Sequence, residues 1–361
     1  MPGRIIGRHS FAGRGALSNP PGRFDLQQFT AVDDGWYLEQ EPSSVATTLA
    51  PERAKQIITT NDSPDVPFEQ SINPYRGCSH GCIFCYARPS HAYLGLSPGL
   101  DFETRIFYKQ DAAQALEAQL ARPGYVCKPI TIGANTDPYQ PDERRMKVTR
   151  SILEVLARTR HPVTVITRGA MILRDLDLLA DLARDKLATV GVSVTTLNKD
   201  LKRVMEPRSA APQARLRAVA ELNAAGVPTG VLVAPVIPAL TDHELEEILA
   251  ASAQAGARWA GYVLLRLPYE IKDLFQEWLA HHYPQRAAHV MALIREMRGG
   301  RDNDPRFGMR MRGTGPYALL LRSRFKLACR RLQLGFPARD TLDTGLFCPP
   351  VPSGAQLNLG L

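Results

Sequence analysis

From residue 69 to about 268 the chain repeats one pattern: a short apolar run, a polar turn, and a stretch with apolar residues at helical spacing. The runs are Gln70–Asn73, Lys128–Ala134, Pro162–Thr167, Leu187–Val194, Val227–Ala234 and Trp259–Arg266. Between them, a helix is expected at about 110–121. Met146, Thr149, Leu153 and Leu156 mark one helical face, and Leu173, Leu176, Ala180 and Ala183 another. Asn198 can cap a brief helix ending near Met205, and a helix over about 212–225 stops at Gly226. Thr241 and Glu244 have the spacing of a capping box for a helix at 242–254. Strands joined by helical crossovers pair in parallel and with right-handed connections, and continuous apolar strands belong to sheets covered on both faces. Six such units predict an α/β fold, a partial (β/α)6 barrel.

Ligands of such sheets bind at the carboxyl ends of the strands. The polar residues after each strand are therefore the candidate site. Asn135, Thr136 and Asp137 follow the second strand, and Thr167-Arg168 ends the third. Ser193 and Thr195 close the fourth, with both hydroxyls on one face by strand alternation. Glu206-Pro-Arg208 lies beyond it. Pro235 and Pro238 stiffen the end of the fifth, leaving carbonyls free for an adenine edge.

The turn after the first strand is the most distinctive. Cys78, Cys82 and Cys85 fall at C-x3-C-x2-C spacing. Thiolates select soft or borderline metals, zinc or iron–sulfur. A structural zinc site needs four closed ligands, whereas three thiolates are one fewer than an ordinary four-cysteine cluster uses. The stretch is thus either a three-cysteine zinc site closed by His80, as in a non-catalytic nucleic-acid-binding knuckle, or a cluster with one iron left free. His80 stands between two of the cysteines, a cramped place for a fourth tetrahedral ligand.

With Phe84 directly before the third cysteine, the motif resembles the signature of the radical S-adenosylmethionine (radical SAM) superfamily. Three segments, 73–88, 135–143 and 166–168, resemble its spore photoproduct lyase branch, in particular the uncharacterised "DNA repair photolyase-like" members. The resemblance implies that Cys78, Cys82 and Cys85 hold a [4Fe–4S] cluster whose open iron takes S-adenosylmethionine. It implies reductive cleavage of that molecule to a 5′-deoxyadenosyl radical, fed by an external one-electron reductant of the flavodoxin or ferredoxin type. Arg168 and Ser193 become expected cofactor contacts, joining Asn135, Asp137 and Thr195 as the cofactor-binding set. One departure matters. The lyase carries a hydrogen-returning cysteine two residues before its Ser-Asp-Pro turn, and the matching position here is Ala134. Cys127 lies seven residues earlier, at or before the start of the strand, so thymine-dimer repair does not carry over.

Flanking this core (68–268), residues 1–67 read as an irregular N-terminal extension with one short helix at 51–58, opened by Pro51. Residues 269–361 read as a C-terminal extension, helical over 270–298 and 316–332, then a tail. Residues 301–331 carry nine lysines and arginines against Asp302 and Asp304. The whole chain has a net charge of +8, which admits nucleic acid as a partner without requiring it. No apolar run reaches the ~18 residues of a membrane span, and the N-terminus lacks a secretory apolar region, so a cytoplasmic protein is expected. Arg4, Arg8, Arg14 and Arg23 without an acid in residues 1–24 suit an organellar transit peptide or a basic arm equally. Cys127, Cys329 and Cys348 are expected to be buried neutral thiols rather than disulfides.

Overall fold

A computed structural model of the chain describes residues 11–25, 44–336 and 342–350. Its strands are β1 (Thr48–Glu52), β2 (Ile58–Thr60), β3 (Gln70–Ile72), β4 (Tyr75–Arg76), β5 (Arg105–Lys109), β6 (Ile130–Ile132), β7 (Val163–Thr167), β8 (Ala188–Ser193), β9 (Thr229–Val236) and β10 (Ala260–Leu264). The main sheet runs β10-β9-β8-β7-β6-β3-β2. Its six strands from β3 to β10 are parallel and sit in chain order, each joined to the next by a crossover that includes helix. These are the six strands expected from the apolar runs. β2 pairs antiparallel with β3 at the edge, and β1-β5-β4 form a small second sheet.

The sheet is covered because its strands have no polar face to give to water. All of β6 is buried, as is most of β8. The Val148–Arg158 helix presses Ile152, Leu153, Val155 and Leu156 onto it. The next helix, Leu176–Arg184, buries Leu179 and Leu182, while the stripe expected from Leu173, Leu176, Ala180 and Ala183 only flanks the core. Asn198 caps Lys199–Met205 as expected, accepting from the Asp200 and Leu201 amides. Gly226, at φ +84°, ends the turn after Pro212–Ala224. Among the described residues no helix is long and apolar enough to cross a membrane.

Gly191 and Gly230 are register partners on β8 and β9, and Trp259 lies across them. A Cβ on Gly230 would stand 2.1 Å from the indole. Gly230→Ala therefore displaces a ring that has no slack, and a loss of about 2 kcal/mol is expected from overpacking. Thermal unfolding against wild type measures it, and an unshifted midpoint contradicts this packing.

Local expectations failed where distant partners intervened. Residues 51–58 are not a helix. Pro51 lies in β1, an edge strand pairing only with β5, where its missing N–H breaks no ladder. The capping box does not form: Thr241 Oγ1 accepts from the Ile237 amide, and the Glu244 carboxylate takes Thr196 Oγ1 and the Leu197 amide. Residues 270–298 are two helices, Ile271–His282 and Pro284–Glu296, broken where Pro284 opens the second. The basic helix spans Gly315–Arg331. Of the three outlying cysteines only Cys329 is buried. Cys127 is half-buried and Cys348 exposed, and all are free.

Candidate metal centre and cofactor rim

The cysteine loop leaves β4 and is fixed at every few residues by other elements. The Cys78 amide donates to the Phe102 carbonyl (2.9 Å) and the Ile83 amide to Met205 (3.0 Å). Ser79 is held by Gln140 and Asp142. Arg88, fully buried, donates to the carbonyls of Cys82, Pro98 and Gly99 and pairs with the fully buried Glu103. Glu103 also accepts from the amides of Gly15 (3.0 Å) and Ala16 (2.8 Å). The N-terminal segment is thereby drawn so close to the loop that a Cβ on Gly15 would stand 1.9 Å from the Gly81 carbonyl oxygen.

The three thiols are free, Cys78 and Cys82 buried and Cys85 partly so. Burial pushes all three up, Cys82 to about 12. They are neutral in the absence of a ligand, and a metal must replace the proton. Among the described residues no three His, Cys, Asp or Glu side chains converge as ligands of a single metal ion do. Three thiolates, each binding a different iron, fit a cluster with one iron left open, whereas a structural zinc site needs a fourth ligand. His80 is buried with Nδ1 3.5 Å from Asp137 Oδ2, which directs that nitrogen at a carboxylate.

Arg168, just past β7, lies with its guanidinium 5.2 Å from the Phe84 ring centroid and donates to Glu206 (2.7 Å). Glu206 also takes Arg215 (2.6 Å), which in turn donates to the Ser193 carbonyl (3.0 Å) and Ser209 Oγ (2.7 Å). This arginine–glutamate–arginine ladder ties the ends of β7 and β8 together beside the cysteine loop. Burial alone would push Glu206 up, but Arg215 and Arg168 outweigh it and hold it below the usual carboxylate range.

Asp137 is spoken for. It accepts from Thr167 Oγ1 (2.7 Å) and from the amides of Arg168 (2.8 Å) and Tyr139 (2.9 Å). Burial opposes its charge, yet His80 and these donors hold it at about 2. Its visible work is to clamp the loop after β6 to the end of β7. Asn135 is exposed, with its amide donating to Asn73. Ser193 is buried at the tip of β8, and buried Thr195 donates to the Ala234 carbonyl. Ala134 lies two residues past β6, and Cys127 three residues before it, at the opposite end of that strand.

Comparison with known proteins agrees with this architecture. The sequence profile of the radical SAM superfamily matches residues 72–251. An uncharacterised protein of Mycobacterium bovis is 38% identical over 232 residues, 64% of this chain and 68% of that one. A Pseudomonas phage M6 protein named radical SAM Nalpha-GlyT isomerase is 25% identical over 249 residues, 64% of this chain and 47% of that one. The chain belongs to the radical SAM superfamily, whose members use a [4Fe–4S] cluster and S-adenosylmethionine and generally need an external electron donor. Within it, the fold is that of spore photoproduct lyase: a structure with a dinucleoside spore photoproduct bound superimposes with TM-score 0.58 at 15% identity, covering 81% of each chain.

Proposed function

We propose that this protein reductively cleaves S-adenosylmethionine at a [4Fe–4S] cluster held by Cys78, Cys82 and Cys85, and uses the product to act on nucleic acid. The observation that carries the first part is a loop of three free thiols, pinned from four sides, on a superfamily fold. When bound, the cluster supplies the electron that splits the cofactor into methionine and a 5′-deoxyadenosyl radical. The protein's own residues position and enclose. Phe84 and Arg168 form one wall beside the cysteines, Glu206 and Arg215 keep Arg168 in place, and Asn135, Ser193 and Thr195 complete the cofactor set. Asp137 acts as the clamp that shapes this rim. A flavodoxin- or ferredoxin-type protein delivers the electron, and the setting is the cytoplasm. The nucleic-acid part rests on the basic surface of residues 301–331 and on the fold shared with a lyase whose structure holds a dinucleoside.

Hydrogen return follows a different route from a cysteine at position 134, since Ala134 has no thiol. Cys127 lies at the far end of β6, roughly 20 Å of extended chain away.

Anaerobic reconstitution with iron and sulfide is the test. A brown protein that forms 5′-deoxyadenosine from S-adenosylmethionine only when reduced is the expected result. A colourless zinc protein, or one that yields no 5′-deoxyadenosine, overturns the reading.

A further inference from the structure

Three arginines converge where β10 ends. Arg298 is 1% exposed and is satisfied by carbonyls alone, those of Leu265 (2.7 Å), Arg310 (2.9 Å) and Met309 (3.0 Å), with Leu264 at 3.4 Å. Arg310 pairs with Asp65, whose other oxygen takes the Gly308 amide. Arg266 has neither arrangement. Its Nε is buried without a hydrogen-bond partner, its Nη1 has only the Met311 sulfur at 3.8 Å, and among the described residues no carboxylate lies within ion-pair distance. Asp65, and on the Arg298 side Asp304, are the carboxylates that act on these three guanidiniums, and neither pairs with Arg266. Burying an unpaired charge is costly, and proteins retain one where something else supplies the counter-charge. Burial and the neighbouring Arg310 both weaken the hold of Arg266 on its proton, as expected for a cation short of an anion.

The place gives this shortage a meaning. Arg266 is two residues past β10, at the carboxyl rim of the sheet. Its guanidinium lies 5.6 Å from the ring centroid of Tyr86, the residue directly after Cys85. The Tyr86 hydroxyl in turn reaches the Ala134 carbonyl past the end of β6, so one ring links the second and sixth parallel strands across the mouth of the barrel. Tyr86 is still 47% exposed. Beside it, Arg310 lies 4.5 Å from the ring centroid of Phe307, itself 57% exposed. Two open aromatic faces, each with a guanidinium alongside, combine stacking with charge, as surfaces that take single-stranded nucleotides do. A planar guanidinium fork suits a phosphate.

We infer that Arg266, beside Tyr86, is a phosphate subsite that holds a nucleotide phosphate of the substrate at the barrel mouth. This rests on the nucleic-acid part of the reading above. The anion is supplied by a strand or by a mononucleotide, and the two share one chemistry.

The test uses the full chain, reconstituted without oxygen. The probes are a labelled single-stranded deoxyoligonucleotide of about ten nucleotides, a 5′-mononucleotide, and inorganic phosphate as competitor. Arg266→Gln is expected to weaken oligonucleotide binding about tenfold, which is 1.4 kcal/mol, and to lower the salt slope by about 0.7. Arg266→Lys keeps the slope. Arg217→Gln, an exposed cation on the Pro212–Ala224 helix and outside both the cluster and the 301–331 segment, binds as wild type. Phosphate competes with the wild type and not with Arg266→Gln. The mononucleotide losing affinity in parallel with the strand assigns the site to a single phosphate, while loss for the strand alone assigns it to the backbone. Equal binding by wild type and Arg266→Gln, with iron content intact, overturns the proposal. So does a loss confined to S-adenosylmethionine affinity, which assigns the anion to the cofactor's carboxylate. Binding is read without turnover, and 5′-deoxyadenosine formation in the same samples reports separately on the chemistry.

Discussion

Cys82→Ala is expected to abolish iron retention and S-adenosylmethionine cleavage while leaving the helical circular dichroism of the protein unchanged. Removing a partner that only orients a metal ligand typically costs 10- to 100-fold in metal affinity or activity, and removing a ligand itself costs more, so cleavage should fall by more than about 100-fold. The fold should survive because the barrel is built elsewhere. Its core is the contiguous set of β6, β7 and β8 side chains with the helices over them, from Ile130 and Val163 to Leu182 and Leu222. Cys82 packs in a different cluster with Ile83, Leu201 and Met205. Deleting one buried sulfur there leaves a small cavity, worth about 1 kcal/mol. The backbone contacts of the loop, Ile83 to Met205 and Arg88 to the Cys82 carbonyl, do not involve the thiol. Iron and sulfide analysis, cleavage under reducing conditions and far-ultraviolet circular dichroism read the three quantities. Retention of a full cluster would remove Cys82 from the ligand set, and loss of the helical signal would mean that the metal organises the fold.

What could be read from the chain before folding followed the range of the interactions. The six parallel strands are each a local apolar run, and the cysteine motif lies within eight residues, so both were legible. Asn198 capping Lys199–Met205 was legible for the same reason. Glu103 was not. It bonds residues 88 and 87 positions away, Gly15 and Ala16, and nothing in the local sequence of an isolated glutamate announces such partners. The N-terminal extension therefore reads as irregular although Ala16 and Leu17 are buried against the cysteine loop region. The capping box failed by the same cause: Glu244 had a better offer 48 residues away at Thr196. Asp137 was singled out for its place on the rim, and the structure explains that place, since its carboxylate fastens β7 to the loop after β6. Arg266 ends the last expected strand, but its want of an acid is a property of the assembled rim alone.

The ladder through Glu206 carries a large expected stability effect. Its carboxylate is fully buried between Arg215, also fully buried, and Arg168. Glu206→Gln keeps the shape and removes the charge. One amide oxygen then serves two guanidiniums, and the amide nitrogen is turned toward one of them. Breaking a buried pair by deleting one charge costs about 3–5 kcal/mol because the partner remains charged and unpaired. Arg215 keeps its three bonds to Ala210, Ser193 and Ser209, which places the expected loss near the lower bound, about 3 kcal/mol. For a chain of this length that is roughly a 4 °C fall in unfolding midpoint. The pH dependence has a definite sign. The folded carboxyl lies below its ordinary value of 4.5, so its contribution is complete above about pH 4.5 and is lost as the pH falls through the folded value. The gap between wild type and Glu206→Gln should be constant near neutrality and narrow below that point. Freed from Glu206, Arg168 also loses its fixed position over Phe84, so affinity for S-adenosylmethionine should fall together with stability. A variant that melts within about 1 °C of wild type at pH 7 would show that Arg215 is satisfied by carbonyls and Ser209 alone, and that the ladder positions Arg168 without stabilising the barrel.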